Sequence, residues 1–203
     1  MRHNKWNYTM ENHNNLFPVF LKLSKMSVLI VGGGNVAAEK LHFLLKSSPN
    51  ANVTVVTKVA SEMVLNIIRS NNNIKLIIDN YKKSYLFGMN IVIAATEVES
   101  TNLLIWEDAQ SEKIIVNVAD TPDLCDFYMG SIVTKGDLKI AISTNGKSPT
   151  FAKRFRQVLE AILPDSLPNT LNNLHAIRKT LKGDFSKKVD SLNKLTEILT
   201  LNH

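Results

Sequence analysis

The sequence predicts an α/β protein whose first part is a parallel sheet with helices on both faces. Three observations predict it. Short runs rich in Val and Ile recur between residues 26 and 118 of the 203-residue chain. Segments with apolar residues at every third or fourth position separate those runs. The first run ends in three consecutive glycines, Gly32-Gly33-Gly34, which open a helical pattern. Near-continuous apolar strands alternating with helices indicate a parallel sheet, because a strand covered on both faces has no polar side to show.

In chain order, NLFPVFLKL (residues 15–23) is apolar but contains Pro18, which cannot donate to a ladder, so the stretch reads as an irregular edge strand. Strands are predicted at Met26–Val31, Asn52–Thr57, Ile74–Ile78, Asn90–Ala95 and Lys113–Val118, and helices at Val36–Lys46, Ala60–Ser70 and Asn102–Ser111. Val36, Ala37, Lys40, Leu41, Leu44 and Leu45 show the helical stripe most clearly. The alternation stops near Asp120. SIVTKGDLKIAIS (131–143) reads as two strands joined at Lys135-Gly136-Asp137. Ser148 can cap a helix whose first position is Pro149, a residue lacking only an N–H that would be unpaired anyway. Phe151, Phe155, Val158, Leu159, Ile162 and Leu163 then form one apolar stripe. Pro164 and Pro168 punctuate its end, and Asn169–Leu201 reads as one or two further helices with basic outer faces.

Composition narrows the class. Hydrophobic residues make up 44% and charged residues 21%, ordinary for a soluble globular protein. The first fourteen residues contain no apolar run resembling a signal peptide and are expected to be flexible. No stretch is apolar for long enough to span a bilayer. The single cysteine, Cys125, excludes an intramolecular disulfide and cannot form a thiolate metal site alone. A cytoplasmic location is expected. The net charge of +6 is unevenly placed: residues 1–128 carry 12 basic and 12 acidic residues, whereas residues 129–203 carry 12 and 6. Such an excess suits either a solvated surface or a polyanion, whether nucleic acid or a small polycarboxylate.

Gly32-Gly33-Gly34-Asn35-Val36-Ala37 fits G-x-G-x-x-A between a strand and a helix, the pattern of a Rossmann-like dinucleotide site. Gly32 permits a tight turn and Gly34 lets the backbone approach a pyrophosphate. The small Ala37 brings helix close to strand, and the helix N-terminus offers unpaired N–H groups to the anion. The second strand ends in Thr57-Lys58-Val59 instead of the acidic residue that usually holds the adenosine ribose, and Lys58 suits a 2′-phosphate. The residues alone therefore leave NAD and NADP open. Thr96, after the fourth strand, reads equally as a nicotinamide-side contact and as an ordinary strand cap.

Taken together, NLFPVFLKL, VLIVGGGNVAAEK, VIAAT, VNVADTPDLCDF, GSIVTKGDLKIAIST and NGKSPTFAKRFRQVLE are recognisable. In this order and spacing the chain resembles the precorrin-2 dehydrogenase/sirohydrochlorin ferrochelatase family, the dehydrogenase–chelatase part of sirohaem synthase, over about residues 15–163. The resemblance implies NAD-dependent oxidation of precorrin-2 to sirohydrochlorin, with Fe(II) insertion added in some members. It also implies a homodimer whose second segment exchanges between subunits, and a helical C-terminal region. Longer fused members carry a methyltransferase domain, for which a chain ending at His203 is expected to have no room. The implied organisation is a Rossmann-like NAD-binding domain over 1–128, a small α+β dimerisation segment over 129–163, and a helical region over 164–203.

Residue roles follow from the same resemblance. Asp120 in VNVAD matches an aspartate held essential for both activities; chemically, a carboxylate there can take the proton released by dehydrogenation, or steer Fe(II) transiently. A loop or cap aspartate is the alternative for an isolated Asp after a strand. Asn35 and Val36, with Lys58 and Val59, match backbone contacts to the cofactor. Asn117 orders the VNVAD loop at the substrate side. Thr144 matches a serine of the tetrapyrrole pocket that is phosphorylated in one branch. Ser148, Lys153, Arg154 and Arg156 are candidates for the substrate's carboxylates, against the alternative of a solvated helix face. Gly130 stands where many relatives have proline. No resident metal site is expected, and neither nucleic acid nor membrane as partner. The competing reading is a redox-sensing dinucleotide-binding regulator whose basic C-terminal region binds nucleic acid; no clear helix-turn-helix supports it.

Overall fold

A computed structural model describes residues 14–181 and 185–197. Strands β1 (Ser27–Val31), β2 (Asn52–Thr57), β3 (Ile74–Ile78), β4 (Ile91–Ala94) and β5 (Ile115–Val118) form one parallel sheet in the order β3-β2-β1-β4-β5. Helices α1 (Asn35–Ser47), α2 (Glu62–Arg69) and α3 (Glu99–Ser111) follow β1, β2 and β4. The strands lie where the apolar runs predict them, with ends trimmed by up to two residues, and α3 starts a turn early at Glu99. This is the predicted α/β, Rossmann-like class.

Strand periodicity builds two cores. Val28 and Ile30 face one way with Val53, Val55, Ile91 and Ile93, under Ala37, Ala38, Leu41, Leu44 and Leu45 of α1 and Val64 of α2. Leu29 and Val31 face the other way with Val56, Val92, Ala94, Val116 and Val118, under Ile105 and Ala109 of α3 and under Leu86. Both faces being covered explains why the runs show no polar alternation.

The stretch 15–23 is not the edge strand expected of it. Residues 14–22 have no regular structure, and Leu23–Lys25 form a 3-10 turn. This segment must deliver the chain to β1, the central strand, so either edge is two strands away. With no partner in reach, Phe17, Val19 and Phe20 stay exposed.

The described chain divides into two units. One takes residues up to Met129 together with Ser143–Lys147; the other takes Gly130–Ile142 and the chain from Ser148 on. The second unit holds the antiparallel pair β6 (Ser131–Lys135) and β7 (Leu138–Ile142), then α4 (Pro149–Ile162), α5 (Leu167–Thr180) and α6 (Phe185–Thr196). The hairpin turns at Gly136-Asp137 as predicted. Lys135 ties its end to α4 by donating to the Leu163 carbonyl at 2.8 Å and to Asp165 at 2.6 Å, a cation at a helix C-terminus. Pro168 sits in the first turn of α5 rather than before it, where its missing N–H costs nothing. The predicted helical stretch beyond Glu197 lies outside the described residues.

The return from β3 to β4 passes two strands with only a 3-10 turn, Lys83–Leu86. Polar contacts anchor it. The Asp79 carboxylate accepts from Lys82 and Tyr85, Tyr81 donates to Asp108 of α3 at 3.0 Å, and Lys83 pairs with Glu112 at 3.1 Å. Lys82 first and Tyr85 second hold the Asp79 carboxyl at about 2, below its ordinary 3.8. A depressed folded pKa means that this contribution is present above pH 3.8 and disappears as pH falls through about 2. Carboxyl NMR is expected to place the Asp79 midpoint near 2, and Asp79→Asn to reduce the stability change over that window; a midpoint at the ordinary value refutes the anchoring.

Candidate functional site

The carboxyl edge of the sheet gathers four strand ends. Val31 is in register with Val56 on one side and Ala94 on the other, and Ala94 with Val118. Just past those residues lie Gly32, Thr57, Ala95 and Ala119. β1 and β4 are neighbours although the chain visits β2 and β3 between them. The topology therefore reverses direction at that point, where open α/β sheets bind ligands.

The glycine turn is built by close approach. Gly32 has φ +133°, and a Cβ on it would stand 2.2 Å from the Ala95 carbonyl oxygen. At Gly33 a Cβ would meet the Val59 oxygen at 2.2 Å and Thr57 Oγ1 at 2.4 Å. The first glycine thus fits against the end of β4 and the second against the end of β2, where Thr57 holds Val59 through a 2.8 Å bond. The Ser61 N–H also donates to the Gly33 carbonyl at 2.8 Å. Gly34 differs. Its extended backbone would accept a side chain, and the nearest atom to a Cβ there is Glu97 Oε1 at 3.3 Å. Gly34 therefore keeps room for something other than protein.

Gly34 is the N-cap of α1, and no described side chain caps that end. The first intrahelical bond is from Ala38 to the Gly34 carbonyl, leaving the amides of Asn35, Val36 and Ala37 for an anion. Asn35 and Val36 are exposed at this mouth, and so are Lys58 and Val59 across from it. Thr96 is built as a cap: its Oγ1 bonds Asn102 Oδ1 at 2.7 Å and the Val98 carbonyl at 3.1 Å, and its N–H also reaches Asn102. Asn102, buried on α3, escaped the sequence reading because a polar residue on a helix face carries no signal of a partner six residues back.

Asp120 lies past β5, two strand spacings or ~10 Å along the edge from the glycine turn. It is exposed, stands at φ +60°, and makes no hydrogen bond with a described residue. Asn117, behind it, is buried, with Nδ2 donating to the Phe127 carbonyl at 2.9 Å and Oδ1 unpaired. Its contacts are to the loop that carries Asp120. In the first unit Thr144 is half-buried in the 143–147 turn. In the second unit Ser148 caps α4 by accepting from the Phe151 N–H at 3.2 Å. Arg156 is paired with Glu160 one turn on, while Lys153 and Arg154 are exposed and pair with no described acid. Among the described residues no three His, Cys, Asp or Glu side chains gather as a metal site. No described helix is long and apolar enough to cross a membrane.

Known proteins of similar sequence agree with this layout. A family model described as "Putative NAD(P)-binding" matches residues 19–131, and one described as "Sirohaem biosynthesis protein central" matches residues 135–162. The siroheme synthase of Psychrobacter cryohalolentis is 38% identical over 178 residues, covering 88% of this chain and 33% of the relative. That of Psychrobacter sp. (strain PRwf-1) is 41% identical over 150 residues, covering 74% and 30%. The chain thus spans about a third of the length of these curated relatives. The solved structure of SirC, precorrin-2 dehydrogenase, superposes with a TM-score of 0.69 at 24% identity, covering 89% of each chain, and shares the fold.

Proposed function

From the premise that the chain belongs to the NAD(P)-binding family matched at residues 19–131, with the sirohaem-biosynthesis central segment following at 135–162, we propose that it is an NAD-dependent precorrin-2 dehydrogenase. The observation that carries this reading is the shared edge. A helix N-terminus that no described side chain caps, beside the open Gly34, and the Asp120 carboxylate, which no described residue pairs, stand on the same sheet edge with one strand end between them.

The amides of Asn35, Val36 and Ala37 would hold the diphosphate, with Lys58 and Val59 beyond β2 on the adenosine side and the β4 end, Thr96 and Glu97, on the nicotinamide side. Bound there, NAD supplies the hydride acceptor. The Asp120 carboxylate would take the proton that the macrocycle loses besides the hydride, so that a hydride and a proton, two electrons and two protons in all, leave the substrate. Exposure of Asp120 fits a group that must meet a large substrate. Thr144 in the first unit, and Ser148, Lys153, Arg154 and Arg156 in the second, are each proposed, unit by unit, as polar or cationic groups suited to carboxylates.

Fe(II) insertion is a second reading with the same carboxylate as its support, since pyrrole N–H groups must be deprotonated and the ion steered. A homodimer is also part of the proposal: in the second unit α4 presents Phe151, Phe155, Val158 and Ile162 to solvent, with the two phenyl rings stacked at 5.9 Å. Sedimentation at the mass of one chain would remove it. The cytoplasm is the proposed location.

The test is anaerobic turnover of precorrin-2 by the full chain with NAD or NADP, followed by sirohydrochlorin absorbance. NAD-linked conversion is expected; none with either nucleotide sinks the reading, and retention on DNA would then favour the regulator. Sirohydrochlorin with Fe(II) and no NAD tests metal insertion separately: sirohaem formed no faster than in a blank ends that part alone.

A further inference from the structure

Strand β5 is an edge strand, with β4 on one side and unpaired main-chain groups at alternate residues on the other. The chain's own return closes that side. Asp126 donates its N–H to the Val116 carbonyl at 2.8 Å, and Val116 donates its N–H to Asp126 Oδ2 at 2.9 Å. Two residues along, Val118 donates to Cys125 Sγ at 3.3 Å, and the thiol donates back to the Val118 carbonyl at 3.2 Å. Between these exchanges Asn117 Nδ2 bonds the Phe127 carbonyl and Cys125 Sγ. Gln110 of α3 secures the Asp126 carboxylate from behind at 3.2 Å.

One main-chain N–H, a carboxylate and a thiol thus do for β5 what the main chain of a sixth strand would do. A true sixth strand would impose a ladder from its first residue. Side-chain acceptors instead leave the short span 119–124 free to turn outward. That span starts at the bond from Ala119 N–H to the Ala94 carbonyl and is closed inside by Leu124 N–H to Thr121. Asp120 sits within it in the left-handed region. Burial raises the Cys125 pKa, so the S–H persists as a donor at neutral pH.

We propose that Asp126 and Cys125, with Asn117, are positioning residues for Asp120: they staple the loop to the bare edge of β5 and thereby fix where the Asp120 carboxylate stands. The inference rests on the reading of Asp120 given above and adds Asp126 and Cys125, which act through the loop, to Asn117, whose ordering role the sequence already suggested.

The experiment compares Asp126→Ala, Asp126→Asn, Cys125→Ala and Asp120→Asn in the full chain, by NAD-linked precorrin-2 oxidation and by direct NAD titration. Asp126→Ala and Cys125→Ala are expected to lower kcat about tenfold to hundredfold, the scale of a small misplacement of a reacting group. The KM and affinity for NAD should change less than twofold. Asp126→Asn keeps an acceptor for the Val116 N–H and is expected to return kcat to within about threefold of the parent. Unchanged kcat in both alanine variants, beside a dead Asp120→Asn, overturns the inference and spares the function. A parallel fall of kcat, NAD affinity and melting temperature that Asp126→Asn does not rescue also overturns it, because that pattern is general loss of structure. Normal turnover by Asp120→Asn instead sinks the underlying reading.

Discussion

Asp120→Asn is expected to lose precorrin-2 turnover by about 10²- to 10⁴-fold, the usual contribution of a positioned general base, with NAD affinity unchanged within about twofold. The substitution is well matched to the question. Asp120 stands at φ +60°, a region that Asn enters as readily as Asp and that most other residues enter at a cost. Asp120→Ala would add backbone strain to the lost carboxylate and confuse the two. Asn keeps the shape and the turn and removes only the basic oxygen. The side chain forms no hydrogen bond with a described residue, so no structural partner is orphaned by the change. Retained affinity is expected because the glycine turn is ~10 Å away along the sheet edge, two strand spacings. Anaerobic kinetics with an NAD titration decides it. A variant that turns over normally has its proton acceptor elsewhere.

The glycines should separate in opposite directions. Gly32→Ala sets a Cβ 2.2 Å from the main-chain oxygen of Ala95 at a φ of +133°. That carbonyl belongs to the end of a buried strand and cannot swing aside. Backbone strain and displacement of the β4 end together are expected to cost roughly 3 kcal/mol or more, seen as a fall in melting temperature of about 6–12 °C for a chain of this size. Gly34→Ala meets only the tip of Glu97 at 3.3 Å, on an extended backbone. Its stability should stay within about 0.5 kcal/mol. Its Cβ would occupy the approach to the α1 amides, and NAD affinity is expected to fall about tenfold to hundredfold, or roughly 1.4–2.8 kcal/mol. Differential scanning fluorimetry and a fluorescence titration measure both quantities. Equal affinity in Gly34→Ala and the parent means that the diphosphate does not pass there.

Much of the fold was legible because the β-branched runs are long and pure. Val28 to Val31 and Val53 to Val56 announce strands covered on both faces, and the two cores take up each of these residues except the half-buried Thr54. The stretch 15–23 misled for a related reason: apolar content is a local property, while having an edge to pair with is not. Phe17 and Phe20 look like strand residues and lie exposed beside no strand. At the site, the motif pointed to Gly32 and Gly34 but assigned Gly33 no task. Its task is a contact with Thr57 and Val59, more than twenty residues away, and no spacing rule reports it. In the sequence Thr96 suits contact and cap alike; its hydroxyl is engaged by Asn102, whose role no local pattern signals. Nothing in the sequence gives Cys125 a partner, and its exchange with Val118 appears only once the loop returns along β5.

What the sequence determined alone was the class of the protein: the alternation of strands and helices, the glycine turn with its helix, and a hairpin and helix after it. These depend on periodicity and on conformations open to single residue types, both of which are written in neighbouring residues. What tertiary structure decided was which groups share an edge. Strand order put β4 beside β1 and the Asp120 loop one strand further on. It also left one side of β5 bare for side chains to close. Such neighbours are far apart along the chain and meet only through sheet pairing, whose order is set by packing of the whole domain.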